Sequence, residues 1–506
     1  MSASLLTRLD REKNRFTPIF LATFLWGLAA HGYALLNFTI SHDSLNEFWL
    51  FQQIGYYDGT ATQWKISLGR FMVPVYQLLF RGQTVAPWYS GMLALVWIAL
   101  AVWVTAWVFD IRERWLLIFT CGIFTVNLSV VALTATFLHD LDADLFAVLA
   151  AVCAVLFWKR GTWRQLFAIP MLVIVLGIYQ SMISVYISFV IFLCILRLAN
   201  GDQVKAVFPD GLRAIGLMAV GGVLYLLLSK AACALVGLSL TSQENGLANM
   251  LGGDSSIIAL LITTFTSWLS LFAIEAPRIN GIFNALLFLA AFLLVVDILR
   301  SKQLPTANKV LILLLGLLLP FGANVSAFLN NGEVHLLMLY AAWLLYLLIL
   351  LLCRRVSGRK PKVLLLCGLL IGLVLFSNIR FSNQLYTRKD QERQAALSLM
   401  TRVTDRIEQT EGYVPGETEV AILGAPEVEP LSGYDQTYEI TGAIFSTPIT
   451  NEDFYDAYFT TVLQNPIHLC DSQRREALAA QAQALPAFPA AGCITWIDGT
   501  LVIRLS

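Results

Sequence analysis

The sequence predicts a polytopic α-helical membrane protein of about eleven spans with a small α/β domain at its C-terminal end. Three observations carry this expectation. The 506 residues are 57% hydrophobic and only 13% charged, a balance outside that of water-soluble chains. Apolar windows of the roughly 20 residues needed to cross a bilayer recur from Phe16 to Ser377 with short polar gaps. From Arg380 onward the composition becomes that of an ordinary soluble domain. The expected division is therefore 1–378 for the membrane region and 379–506 for the outer domain.

The polar start, 5–15, leads into an apolar stretch that lacks a small-residue cleavage site, so the first helix is read as an anchored span. Orientation follows from lysine and arginine in short loops, which favour the cytoplasmic side. Segments 8–15, 112–114, 159–164 and 354–362 stand out, with weaker ones at 197–213 and 300–309, and all six are placed inside. Segments 37–87, 137–144, 179–181, 230–254, 324–333 and everything beyond 378 then lie outside, and the acids segregate with them. The stretch 257–274 is apolar enough to span, yet a full crossing there would put 300–309 on the wrong side. It is read as re-entrant or interfacial.

Beyond the last span, 384–411 carries Ala396, Leu399, Val403 and Ile407 at helical spacing, the mark of an amphipathic helix. A strand is expected at 419–423 and helices at 451–463, capped by Thr450 or Asn451, and at 472–482. The runs 493–497 and 500–505 flank Asp498-Gly499, a dipeptide suited to a type I′ turn, and predict a closing hairpin. Of eight cysteines, six sit in or beside apolar spans and read as packing residues. Cys470 and Cys493 share the outer domain, where an oxidising compartment favours a disulfide between them.

Equal numbers of basic and acidic residues, 34 each, leave no electrostatic footprint for nucleic acid. Walker, dinucleotide, zinc and nucleophile-elbow motifs are missing too, which disfavours nucleotide-driven pumping. Chemistry concentrates instead at the outer mouths of the spans, where ionisable groups are costly unless paired, solvated or used. His42, Asp43 and Glu47 follow the first span, and Asp43 and Glu47, four apart, share a face if the segment is helical. Like-charge proximity would then raise one proton affinity and make a general base. His139, Asp140, Asp142 and Asp144 form a second acidic mouth. Its alternation resembles a calcium loop but lacks the glycine and distal glutamate, so at most Asp140 and Asp142 would hold a divalent ion such as Mg or Mn, and no cofactor is required. Lys65, Arg70 and Arg278 are the cations that suit a phosphate, with Tyr179 and Gln180 at a nearby outer helix break.

The words Ile40-Ser41-His42-Asp43-Ser44-Leu45-Asn46-Glu47, Leu68-Gly69-Arg70 and Gly177-Ile178-Tyr179-Gln180-Ser181, with Pro489-Ala490-Ala491-Gly492-Cys493-Ile494 in the tail, resemble one family. It is that of the serotype-converting O-antigen glucosyltransferases of bacteria and their phages, multi-span enzymes of the GT-C type. The resemblance implies a polyprenyl-phosphate sugar donor, usually undecaprenyl-phosphate glucose, made by a polyprenyl-phosphate glucosyltransferase and delivered by a flippase. It also implies a lipid-linked or surface glycan acceptor such as O-antigen, at the outer face of the bacterial inner membrane. In GT-C enzymes an acid of the first outer loop acts as base; the matching position is Asp43, with Glu47 in reserve, and the displacement inverts the anomeric centre. The outer domain would help select the glycan, with Tyr434, Tyr438, Tyr455, Phe459 and Trp496 as stacking faces or core. An O-antigen polymerase or ligase and a multi-span transporter or flippase remain the alternative readings. The latter would be expected to show internal repeats.

Overall fold

The computed structural model describes residues 3–37, 39, 41, 43–45, 47, 60–82, 86–241, 256–425, 433–439 and 455–506. His42 and the cap at 450–451 lie outside the described residues. The structure is mostly helical with one small sheet. Among the described residues, nine stretches are long and apolar enough to cross a membrane. In chain order the helices that matter below are α1 (Ala3–Leu36), α2 (Thr60–Ser67), α3 (Met72–Phe80), α4 (Pro87–Val108), α5 (Arg114–Thr125), α6 (Leu128–Thr136) and α7 (Leu141–Arg160). They continue with α8 (Ala168–Ile178), α9 (Ile183–Ala199), α10 (Val204–Leu235), α11 (Ile257–Ala273), α12 (Ile279–Arg300), α13 (Thr306–Ala323), α14 (Leu345–Val356), α15 (Pro361–Glu408) and α16 (Ser472–Ala482).

Leu227 on α10, Phe292 on α12, Leu317 on α13 and Leu365 on α15 are all more than half exposed. Apolar surface of that extent, on helices whose backbone groups are bonded internally, is the signature of a lipid-facing belt. The expected eleven spans compare with nine by length and composition. The other two expected crossings correspond to the short apolar Trp163–Ile178 and to the stretch 336–356. The latter is broken into Leu336–Met338, Tyr340–Trp343 and α14, and it forms the buried centre of the bundle. Broken backbone survives in an apolar setting only where protein groups satisfy it. Here Ser129 Oγ donates to the Leu336 carbonyl at 2.7 Å, Trp343 Nε1 donates to Ser129 Oγ at 3.0 Å, and Tyr346 Oη donates to Asn284 Oδ1 at 2.7 Å.

The six basic segments gather at one end of the bundle. Arg15 donates to the Ala106 and Ile111 carbonyls, Lys159 to Val108, Arg354 to Phe109 and Asp110, and Arg355 to Ala199. Asn308 reaches the Leu198 and Asp202 carbonyls, and Lys360 pairs with Asp297 at 2.6 Å. Helix α11, read as re-entrant or interfacial, has both ends at the opposite end of the bundle. Leu260 packs beside Gly332, just past α13, and the Ala273 carbonyl lies 2.6 Å from where a Cβ on Gly281, at the start of α12, would stand.

The boundary expected at 378/379 falls inside α15, which runs unbroken from the bundle into the C-terminal sheet domain. The domain holds a three-stranded sheet of β1 (Val420–Leu423), β2 (Ile494–Ile497) and β3 (Thr500–Arg504) in the order β1-β3-β2. β1 pairs with β3 in parallel, and β2 with β3 as an antiparallel hairpin through Asp498 and Gly499, both at positive φ as a type I′ turn needs. Helix α16 covers the sheet, capped by Asp471, whose side chain accepts from Arg474 N. Tyr455 and Phe459 are fully buried and belong to the core. The bridge expected between Cys470 and Cys493 is not formed, and both thiols are free. Cys470 follows Leu469, which pairs on the open side of β1, whereas Cys493 enters β2, so β1 and β3 stand between them. Three strand spacings, about 14 Å, exceed the reach of a disulfide.

Candidate active site

Two short helices of the first loop set the site. α2 and α3 are joined through Leu68-Gly69-Arg70, and the turn requires glycine: Gly69 has φ +79°, and a Cβ there would collide with the Tyr225 hydroxyl. Gln180 Nε2 donates to the Leu68 carbonyl and to Tyr225 Oη, both at 2.9 Å, so Gln180 holds the turn in place. The turn presents Lys65 on one side and Arg70, Tyr76 and Gln77 on the other. Facing it, His139 and Asp140 occupy the corner between α6 and α7, and Asp142 and Asp144 fill the first turn of α7, where the helix dipole favours acids.

The resulting cluster is buried. Lys65 Nζ sits 2.6 Å from Glu47 Oε1 and 2.7 Å from Asp140 Oδ1. His139 Nε2 lies 2.9 Å from Glu47 Oε2, and its Nδ1 lies 2.9 Å from Ser44 Oγ. Gln77 adds longer contacts of 3.4 Å to both carboxylates. Lys65, Glu47, His139 and Asp140 are each at most 6% exposed. Burial alone would raise the Glu47 carboxyl, but the charges of His139 and Lys65 and their hydrogen bonds outweigh it and hold Glu47 well below the usual carboxylate range. Burial likewise opposes the Lys65 ammonium, and Asp140 and Glu47 overcome it, so its proton is held more tightly than usual. Of the two acids expected to influence each other by like charge, Glu47 is not the raised one, because it points to cations.

Asp142, at 0% exposure, stands apart from this pair. Its Oδ2 accepts from Tyr76 Oη at 3.0 Å and lies 3.7 Å from Arg81 Nε, while Oδ1 has no partner among the described residues. Glu47, His139 and Asp140 bring ligand atoms within 4.8 Å of one another, the spacing of a metal site, but the Lys65 ammonium already lies between the two carboxylates. Asp140 and Asp142, the acids expected to share an ion, are committed to different cations.

The remaining expected residues divide. Residues 43–45 and 47 are helical, and Ser41 and Ser44 donate to the Thr136 carbonyl, pinning the segment to the end of α6. Asp43 is half-buried there and is among the charges felt by Lys389, whose ammonium donates to the neighbouring Ala135 carbonyl. Arg70 stacks its guanidinium 4.9 Å from the centre of the Tyr179 ring, and its buried Nε has no hydrogen-bond partner among the described residues. Arg278 has other partners: it pairs with Glu439 at 2.7 Å, and its backbone N–H donates to Gln436 Oε1 at 3.1 Å.

The model of the glucosyl transferase GtrII family matches residues 32–352, more than half of the chain. The chain belongs to this family. No curated protein and no solved structure matches it. As a GtrII glucosyltransferase the protein acts in O-antigen modification. The matched stretch contains the whole Lys65 cluster and Arg70, and ends before Lys389 and the sheet domain. Lys389, Tyr76 and Tyr225 of this glucosyltransferase were not singled out from the sequence. For Lys389 a signal existed, because it precedes Ala396 and Val403 at heptad spacing and so lies on the buried stripe of α15.

Proposed function

We propose that the protein transfers a glucosyl unit from undecaprenyl-phosphate glucose to a hydroxyl of an O-antigen glycan at the outer face of the inner membrane, with inversion. The observation that carries the reading is Arg70. Lys65 and Arg278 are committed to acids, whereas the Arg70 guanidinium makes no ion pair among the described residues and keeps a buried donor unspent at the mouth of the bundle. A half-buried cation whose Nε is buried and unused suits a phosphate that leaves with a full charge. The basic end is placed inside by the positive-inside rule, which puts the acid cluster and the sheet domain outside, where the donor reaches the enzyme through a flippase.

In this reading the acceptor oxygen attacks the anomeric carbon and gives its proton to the Asp43 carboxylate. The bond from that carbon to the phosphate oxygen breaks, and the electron pair leaves with polyprenyl phosphate beside Arg70. Asp43 suits the base role better than Glu47, whose proton affinity is depressed by Lys65 and His139. The Lys65 cluster is the rigid floor that fixes both segments. The test is transfer from labelled undecaprenyl-phosphate glucose to a lipid-linked glycan by protein in nanodiscs. Asp43→Asn is expected to lower the rate by about 10²–10⁴ and Arg70→Ala by about 10²–10³, both with unchanged thermal unfolding. Full activity in Asp43→Asn would move the base elsewhere, and no transfer with any glycan acceptor would reject the reaction.

A further inference from the structure

A cavity of about 330 Å³ lies at the seam between bundle and outer domain, walled by the start of α12, one face of α15 and the turn Asp435–Glu439. The turn is fixed from two sides. Arg278, before α12, holds Glu439 and Gln436. Arg388 on α15 donates to Thr437 Oγ1 at 3.0 Å and lies 3.9 Å from the centre of the Tyr438 ring, whose hydroxyl donates to Glu392 Oε1 at 2.8 Å. Arg388 and Glu392 are nearly fully buried, and Arg388 Nε and Glu392 Oε2 find no hydrogen bond among the described residues. Burying an imperfectly satisfied charge pair is costly, so the position of this turn matters beyond holding the domain together. What the turn completes is the cavity.

The lining names the ligand class. Arg380, Gln384, Gln436 and Asp435 offer donors and acceptors of both kinds, and Tyr434 and Phe381 offer ring faces. An acid in the wall opposes an anion, and Arg380 makes no ion pair among the described residues. Planar polar groups mixed with aromatic faces match a neutral polyhydroxyl compound. A volume near 300 Å³ lies at the low end of small-ligand sites and suits a short stretch of glycan. Arg380 and Gln384 lie about one helical turn apart on the same face of α15.

We infer that this cavity is a saccharide subsite that holds a sugar of the acceptor glycan other than the one being glucosylated. The inference rests on the proposed use of a glycan acceptor and gives Arg278 a structural task in place of phosphate binding. The test uses the full chain in nanodiscs and the double variant Arg380→Ala, Gln384→Ala, both at exposed positions, where substitutions usually change stability little. The variant is expected to raise the KM for an oligosaccharide acceptor about tenfold and to leave the donor KM unchanged, with the difference lost when the acceptor is shortened to one sugar. An unchanged acceptor KM, a change in donor KM, or an effect that persists with the single sugar overturns the subsite. Saturation-transfer NMR with the oligosaccharide and no donor reads the same site without the reaction. Signal in the wild type that is lost in the variant supports the subsite even if no transfer occurs, and equal or absent signal in both overturns it.

Discussion

The Glu47–Lys65–Asp140 group is held by charges that water cannot reach, so its members depend on one another. Removing one partner leaves an uncompensated buried charge, at a cost of about 3–5 kcal/mol. Glu47→Gln is therefore expected to lower the thermal midpoint clearly at pH 7. The pH dependence has a definite sign. The Glu47 carboxyl is depressed in the folded state, so its contribution is complete above the unfolded value of about 4.3 and fades as pH falls from there through the folded value. Unfolding followed by tryptophan fluorescence should show a gap between wild type and Glu47→Gln that narrows as pH falls below the unfolded value of about 4.3. A gap that widens below that value would mean that Glu47 is not held ionised. The sequence exposed the residues of this group but not their pairing. Asp43 and Glu47 are visible together because they are four apart, whereas the contacts that decide the chemistry join positions 18 and 75 residues apart, beyond any local pattern.

At the scale of elements, the turn between α2 and α3 sets the relation between Lys65 and Arg70. Gly69→Ala meets two obstacles, a left-handed backbone costing about 1–2 kcal/mol and a collision with the Tyr225 hydroxyl. The turn should yield before the buried bundle does, so transfer is expected to fall at least tenfold while the protein still elutes as a folded species. Adding Tyr225→Phe removes the collision and leaves the backbone strain, so the double variant should regain part of the activity in a glucosyl transfer assay. Equal rates for both variants would rule out the collision as the cause. Helix identity was legible here only in part. The closing hairpin and α16 follow from turn chemistry and capping that act over a few residues. The joint at 378/379 does not, because composition reports which solvent surrounds a residue, and α15 passes from lipid to water without breaking its hydrogen bonds. The Cys470–Cys493 pairing failed for a related reason: both cysteines share a domain, but the strand order that separates them is a long-range property.

For the molecule as a whole, everything turns on whether the acid mouth and the outer domain face the same compartment. The six basic segments share one end, while Arg278 joins Glu439 and Lys389 reaches Ala135 at the other, so start of α12, end of α6 and outer domain are bound together at one face. This arrangement requires that α11 return to the side on which it begins, which agrees with Leu260 beside Gly332 and Ala273 beside Gly281. Single cysteines introduced as Ser256→Cys and Glu275→Cys in a background without other cysteines, probed in spheroplasts with a membrane-impermeant maleimide, should both be labelled, and Gly358→Cys only after lysis. Labelling of only one of the first pair would make α11 a crossing and would separate Arg278 from the Glu439 it pairs with. The same experiment on native Cys470, half-buried in the outer domain, fixes the sign of the whole arrangement. Labelling before lysis places the sheet domain, the seam cavity and Asp43 in the compartment where lipid-linked glycans are extended. Labelling only after lysis would turn the acid mouth toward the cytoplasm and remove the physical basis for a flipped polyprenyl-phosphate donor.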